Sequence, residues 1–164
     1  MWEVESATGE RAVLKGGFEV TRGRAEYYGM LVEAAGPARR IAAVGSSADL
    51  VGLPLSATGQ SPIVSGWTLR QRDAFTNIEG TAGSTVPATI TGTVTLAAPA
   101  MEGTEGIVAV DGVAAGVLGE LSGQEGTVAF TAILDYSLLT AGPHTVELFV
   151  REVDGTVTRV GPPA

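Results

Sequence analysis

The chain contains no cysteine, which excludes a disulfide framework, a thiolate nucleophile and any cysteine-ligated metal site. It contains one histidine, His144. A serine or threonine nucleophile would have only that imidazole as base, and a zinc site would be short of ligands. Eighteen acidic residues against ten basic ones give a net charge of −8, so a polyanion such as DNA meets no basic surface to neutralise. No apolar run approaches the roughly 20 residues of a membrane span, and Met1 to Arg11 has neither the basic start nor the apolar run of a signal peptide. The glycines lie at turn spacings without the Lys-Ser/Thr ending of a phosphate-binding loop. These absences exclude a nucleic-acid partner and a membrane span within the chain and leave no residue set for a cofactor or a metal. The chain is expected either to be whole and not exported by a signal peptide, or to be a piece of a longer exported protein.

What is present is strand-forming sequence. Apolar residues make up 45% of the 164 positions and charged residues 17%, with 23 glycines. That balance describes an ordered chain, long enough for one sizeable core or two small ones. From Thr89 to Leu96 the residues Ile90, Gly92, Val94 and Leu96 alternate with Thr89, Thr91, Thr93 and Thr95. From Thr127 to Leu134, Val128, Phe130, Ala132 and Leu134 share one face, and from His144 to Val150, Val146, Leu148 and Val150 do the same. All three have the strand period of two. The run Ile107 to Val110 ends at Asp111-Gly112, a pair that favours a tight hairpin, and Asp154-Gly155 reads as a second hairpin turn. Between the strands, Asp135 to Pro143 offers Asp or Ser as a cap, two leucines on a short turn and a Gly-Pro stop, which predicts a crossover between sheets. Earlier in the chain, strands are expected at Trp2 to Glu5, Ala12 to Leu14, Phe18 to Val20, Ala25 to Ala35, Arg39 to Gly45, Asp49 to Leu55 and Pro62 to Leu69. The polar stretch Arg70 to Pro87 is expected to divide the chain.

The fold expected from this pattern is an all-β, immunoglobulin-like antiparallel β-sandwich in two units, residues 1–80 and 81–164. Candidate chemistry is sparse. His144 at a strand start is expected to make a turn-side hydrogen bond rather than to act as a base. Asp49, Asp73, Asp111, Asp135 and Asp154 never cluster at calcium-loop spacing, and Glu102 and Glu105 are expected to be solvated in the Pro99 to Gly106 loop. Aromatic faces are the remaining route to a ligand, since they stack on sugars and anchor interfaces. Tyr27, Tyr28 and Trp67 are therefore the candidate ligand or partner contacts, with core packing the competing role for Trp67.

The segments Asp49 to Leu55, Val86 to Val94, Val108 to Ala115, Phe130 to Leu134 and Leu139 to Phe149 together resemble the C-terminal extracellular module of actinobacterial multi-pass membrane proteins that carry a sulfatase-like domain. The resemblance implies a non-enzymatic surface or accessory module at the cell surface, with a protein partner, self-assembly or a glycan as its business. It carries over no catalytic residue. Two other expectations fit the same residues: a structural protein of a phage or phage-like particle, as capsid decoration or tail component, and a glycan-binding module.

Overall fold

A computed structural model of the chain describes residues 2–5, 11–14, 42, 45–80, 86–121, 123 and 125–164. Trp2–Glu5 (β1) and Arg11–Leu14 (β2) pair antiparallel, with Trp2 opposite Leu14 and Glu5 opposite Arg11. Ala42 apart, the strands expected between residues 18 and 44 lie outside the described residues.

Seven further strands follow: Val64–Leu69 (β3), Thr89–Leu96 (β4), Glu105–Val110 (β5), Val113–Glu120 (β6), Gly126–Ile133 (β7), Val146–Arg151 (β8) and Val157–Gly161 (β9). They form two antiparallel sheets, one in the order β3-β4-β7 and one in the order β6-β5-β8-β9. The expected all-β sandwich is present. Its core lies between the sheets, where Trp67, Ile90, Val94 and Phe130 of the first meet Val108, Val110, Leu148 and Val150 of the second. The rings of Trp67 and Phe130 sit 6.0 Å apart, tilted at 40°. The two strands flanking the expected division at residues 80 and 81 are hydrogen-bonded neighbours, with Trp67 of β3 opposite Val94 of β4.

Turn chemistry places the connections. Asp111 (φ 51°) and Gly112 (φ 79°) both take positive φ, the requirement of the two-residue hairpin that joins β5 to β6. In the crossover from β7 to β8, the Asp135 carboxylate accepts from the Ser137 N–H at 3.0 Å and the Ser137 hydroxyl at 2.6 Å. It thereby caps the 3₁₀ turn Tyr136–Leu138, and Leu139 is buried beneath.

The strand expected at Asp49 to Leu55 is instead part of a strap, residues 45–61, laid over the outer face of the four-stranded sheet. It opens with a 3₁₀ turn, Ser46–Leu50. It then hydrogen-bonds to the β6 edge through Gly52 N–H to Ala114 C=O (2.7 Å), Ala114 N–H to Leu53 C=O (2.9 Å) and Leu55 N–H to Gly112 C=O (2.9 Å). Further on it reaches the β9 edge through Thr58 N–H to Val157 C=O, Arg159 N–H to Gly59 C=O and Ser61 N–H to Arg159 C=O. Beneath it Ile107, Ala109, Ala114 and Phe149 form a second apolar cluster with Leu50 and Leu55. For this reason β5 is buried at every position rather than at every other one.

Gly92 in the central strand of the smaller sheet has no room for a side chain: a Cβ there would overlap the Thr68 carbonyl oxygen and the Phe130 ring. Gly92→Ala should therefore lower stability by about 1–3 kcal/mol through overpacking, read as a lower urea midpoint with unchanged slope.

Candidate functional site

The polar groups with chemical potential gather in three places on the four-stranded sheet and its crossover. The first is Glu105, the opening residue of β5, which is buried rather than solvated. The chain ahead of it explains why. Gly45 takes φ 99°, and a Cβ on it would overlap the Glu105 carboxylate. The turn that this conformation starts directs its first N–H groups at that carboxylate. Glu105 accepts from the Ser46 N–H at 2.9 Å, the Ser46 hydroxyl at 3.0 Å and the Ser47 N–H at 2.6 Å. Burial pushes the Glu105 pKa up, but the donors from Ser47 and Ser46 outweigh it and hold the carboxyl below its ordinary 4.5. Arg151, opposite Glu105 on β8, completes the latch by donating to the Ser46 carbonyl at 2.9 Å and to Asp49 at 2.7 Å.

The second place is the pair Asp111 and His144, brought together because the hairpin of Asp111 abuts the start of β8. Asp111 and Thr145 exchange backbone contacts, the Asp111 N–H donating to the Thr145 carbonyl and the Thr145 N–H to the Asp111 carboxylate. The His144 Nδ1 donates to Asp111 at 2.7 Å and Nε2 donates to the Thr140 carbonyl at 2.8 Å. Both partners are acceptors, so this geometry favours the doubly protonated ring over the neutral one. Burial pushes the His144 pKa down, while the Thr140 carbonyl and the Asp111 carboxylate more than compensate and raise it above 6.5. The expected turn-side hydrogen bond is there, doubled.

The third place is a cleft of about 460 Å³ at the strap's far end, lined by Leu55, Gln60, Gly112, Phe149, Glu147 and Arg159. Glu147 and Arg159 form an ion pair across its floor. A smaller recess of about 240 Å³ lies beside His144, with Leu69, Arg72, Phe75 and Pro163 on its walls. Among the described residues no three His, Asp or Glu side chains gather where a metal ion could be held.

Of the three candidate contact residues, Trp67 lies in the core at 2% exposure and its indole N–H donates to the Gly161 carbonyl at 2.9 Å. Neither face of the ring is open to a ligand. Tyr27 and Tyr28 lie outside the described residues. The latch at Glu105 escapes sequence reasoning because its partners stand 58 and 59 residues away. The local signal that could have hinted at it is Gly45-Ser46-Ser47 as the start of a turn in need of an acceptor.

Two outcomes test these assignments. Glu105→Gln should cost about 1–3 kcal/mol, since charge-assisted bonds to buried donors are replaced by neutral ones, and should open the strap to limited proteolysis between residues 45 and 61. For His144 the raised folded-state value means stabilisation that is complete below 6.5 and is lost as pH rises through the higher folded value. The urea midpoint should therefore fall on raising the pH from about 6 toward 9, and His144→Gln should flatten that decline.

Comparison with protein-family models, with curated proteins and with solved structures finds no match to this chain.

Proposed function

We propose that the chain is an immunoglobulin-like module acting as a non-enzymatic structural or binding unit of a bacterial cell-envelope protein. The observation that carries this reading is the path of the chain through its two sheets. After β3 and β4 it crosses to β5, turns back at Asp111-Gly112 into β6, crosses to β7 beside β4, and crosses again into the β8-β9 hairpin. Orders of β3-β4-β7 and β6-β5-β8-β9 arise from such alternation between layers, the habit of immunoglobulin-like and fibronectin-like sandwiches. The surface placement draws on the resemblance of Val86 to Phe149 to the extracellular modules of sulfatase-like membrane proteins.

The polar geometry supports a unit whose work is holding shape. Glu105, Asp111, Asp135, His144 and Arg151 each secure a turn, a hairpin or the strap. With Trp67 in the core, the glycan-stacking role expected of it has no face to use.

Localisation tests the reading. An epitope-tagged chain expressed from its own gene should fractionate with the cell envelope and be shaved from intact cells by added protease. Recovery wholly in the cytoplasm, or in purified phage-like particles, would overturn it.

A further inference from the structure

Among the described residues, three of the four edges of the two larger sheets carry backbone hydrogen bonds to other segments, and one carries none. The strap covers the β6 edge at residues 112–114 and the β9 edge at residues 157–159. At the β3 edge the Trp67 carbonyl, which faces away from β4, accepts from the Ala164 N–H at 3.0 Å. The fourth edge is β7. Leu134 donates to Ala88 in register with the β4-β7 ladder. The alternation of an antiparallel pair therefore turns the N–H and C=O of Thr127, Ala129 and Thr131 away from β4. All three residues are exposed, and no backbone hydrogen bond beyond β4 engages them among the described residues. The devices that blunt an edge strand are charge, proline and bulges. Residues 126–133 contain no charge and no proline. Their pairing with β4 also runs through eight consecutive positions without a shift, whereas the ladders of β3 with β4, β5 with β6, and β8 with β9 are all bulged.

We propose that β7 is a self-association edge, pairing antiparallel with β7 of a second copy about a two-fold axis at Ala129 and joining the two three-stranded sheets into one. The sequence around the axis is self-complementary. Thr127 falls opposite Thr131 of the second copy and Ala129 opposite Ala129, which gives threonine pairs at either side of a position too small to clash. Charge along the edge does not oppose this occupant. The chain carries −8 overall, yet no two like charges meet along this strand, and the flanking Glu125 falls opposite Ile133 of the second copy rather than opposite itself. Each of the three residues can contribute its N–H and C=O, about six hydrogen bonds between copies. Growth stops at two, because a two-fold contact uses the same patch on both copies and the outer β3 edges of the joined sheet are already engaged.

Sedimentation of the whole chain over a concentration series tests this, together with amide hydrogen exchange. The wild type should move from monomer to dimer as concentration rises, with exchange at Thr127, Ala129 and Thr131 slowing in step. Ala129→Pro removes an outward N–H without breaking a bond inside the chain, and should weaken dimerisation roughly tenfold or more. Should that variant fold poorly, Ala129→Lys places like charges opposite each other on an exposed face and should weaken dimerisation likewise. Because the chain has no cysteine, Ala129→Cys supplies a single thiol. Directly opposed residues in a hydrogen-bonded pair stand about 5.5 Å apart at Cα, within disulfide reach, so this variant should cross-link far faster than Thr95→Cys on the neighbouring strand. A wild type that stays monomeric up to about millimolar concentration, the outcome expected if the edge takes a strand from another protein, would overturn the proposal. So would a dimer whose three amides exchange as fast as in the monomer.

Discussion

The burial of the four-stranded sheet on both faces is the constraint on which the rest of this structure depends. An antiparallel sheet in a sandwich ordinarily keeps one face wet, but here β5 presents Ile107 and Ala109, and β8 presents Phe149, to the side away from the main core. Fully exposing Ile107 and Phe149 would cost on the order of 3–6 kcal/mol, a large share of the roughly 5–15 kcal/mol by which a domain is stable. The strap is therefore part of the fold rather than a flap upon it. Its position is set by Glu105, whose carboxylate would be costly to bury alone and is offset by the turn N–H groups of Ser46 and Ser47. Gly45 is required at the same point, because its φ of 99° starts the turn and its missing Cβ makes space for the carboxylate.

The same logic accounts for where the polar residues went. A carboxylate held by several donors is a weak base, and an imidazole set between two acceptors is held toward its protonated form. In the first two clusters the polar atoms tie together segments distant in sequence: Ser46 to Glu105, Asp111 to His144, Asp49 to Arg151. These ties span 33 to 102 residues, so each fixes one layer of the sandwich against a connection from another.

Local chemistry was legible in the sequence and long-range chemistry was not. Asp111-Gly112 announces its hairpin because only a few residue types tolerate positive φ at both positions, and Asp135 announces its cap because the acceptor and its donor Ser137 are two residues apart. The inward faces of β4, β7 and β8 follow from period-two alternation. The strap reads as a strand in the sequence because Asp49 to Leu55 shows much the same run of apolar residues. What makes it a 3₁₀ turn and an edge segment is a carboxylate more than fifty residues away. Glu105 reads as a solvated loop residue for the complementary reason, since nothing near it in sequence reveals the donors at Ser46 and Ser47. Trp67 followed its apolar neighbours into the core, where the Gly161 carbonyl satisfies the indole N–H that burial would otherwise strand.

The asymmetry between the two sheets follows from their outward-facing residues. On the smaller sheet these are chiefly threonines, Thr89, Thr91, Thr93 and Thr95 of β4 beside Thr127 and Thr131 of β7, with Ala129 and the exposed Ile133 among them and Thr68 of β3 hydrogen-bonded to Thr93 at 2.8 Å. Threonine offers the branched carbon that a pleated strand favours and a hydroxyl that water can satisfy, so this face needs no cover. The larger sheet turns out isoleucine, alanine and phenylalanine instead, and a chain that places such residues there must supply a second layer. Residues 45–61 are that layer. Their backbone then has polar groups of its own to satisfy, and the nearest partners are the free edges of β6 and β9. Covering the apolar face and sealing the edges of that sheet are thus one event, and the threonine-faced sheet, over which no strap runs among the described residues, is the sheet whose β7 edge they leave unpaired.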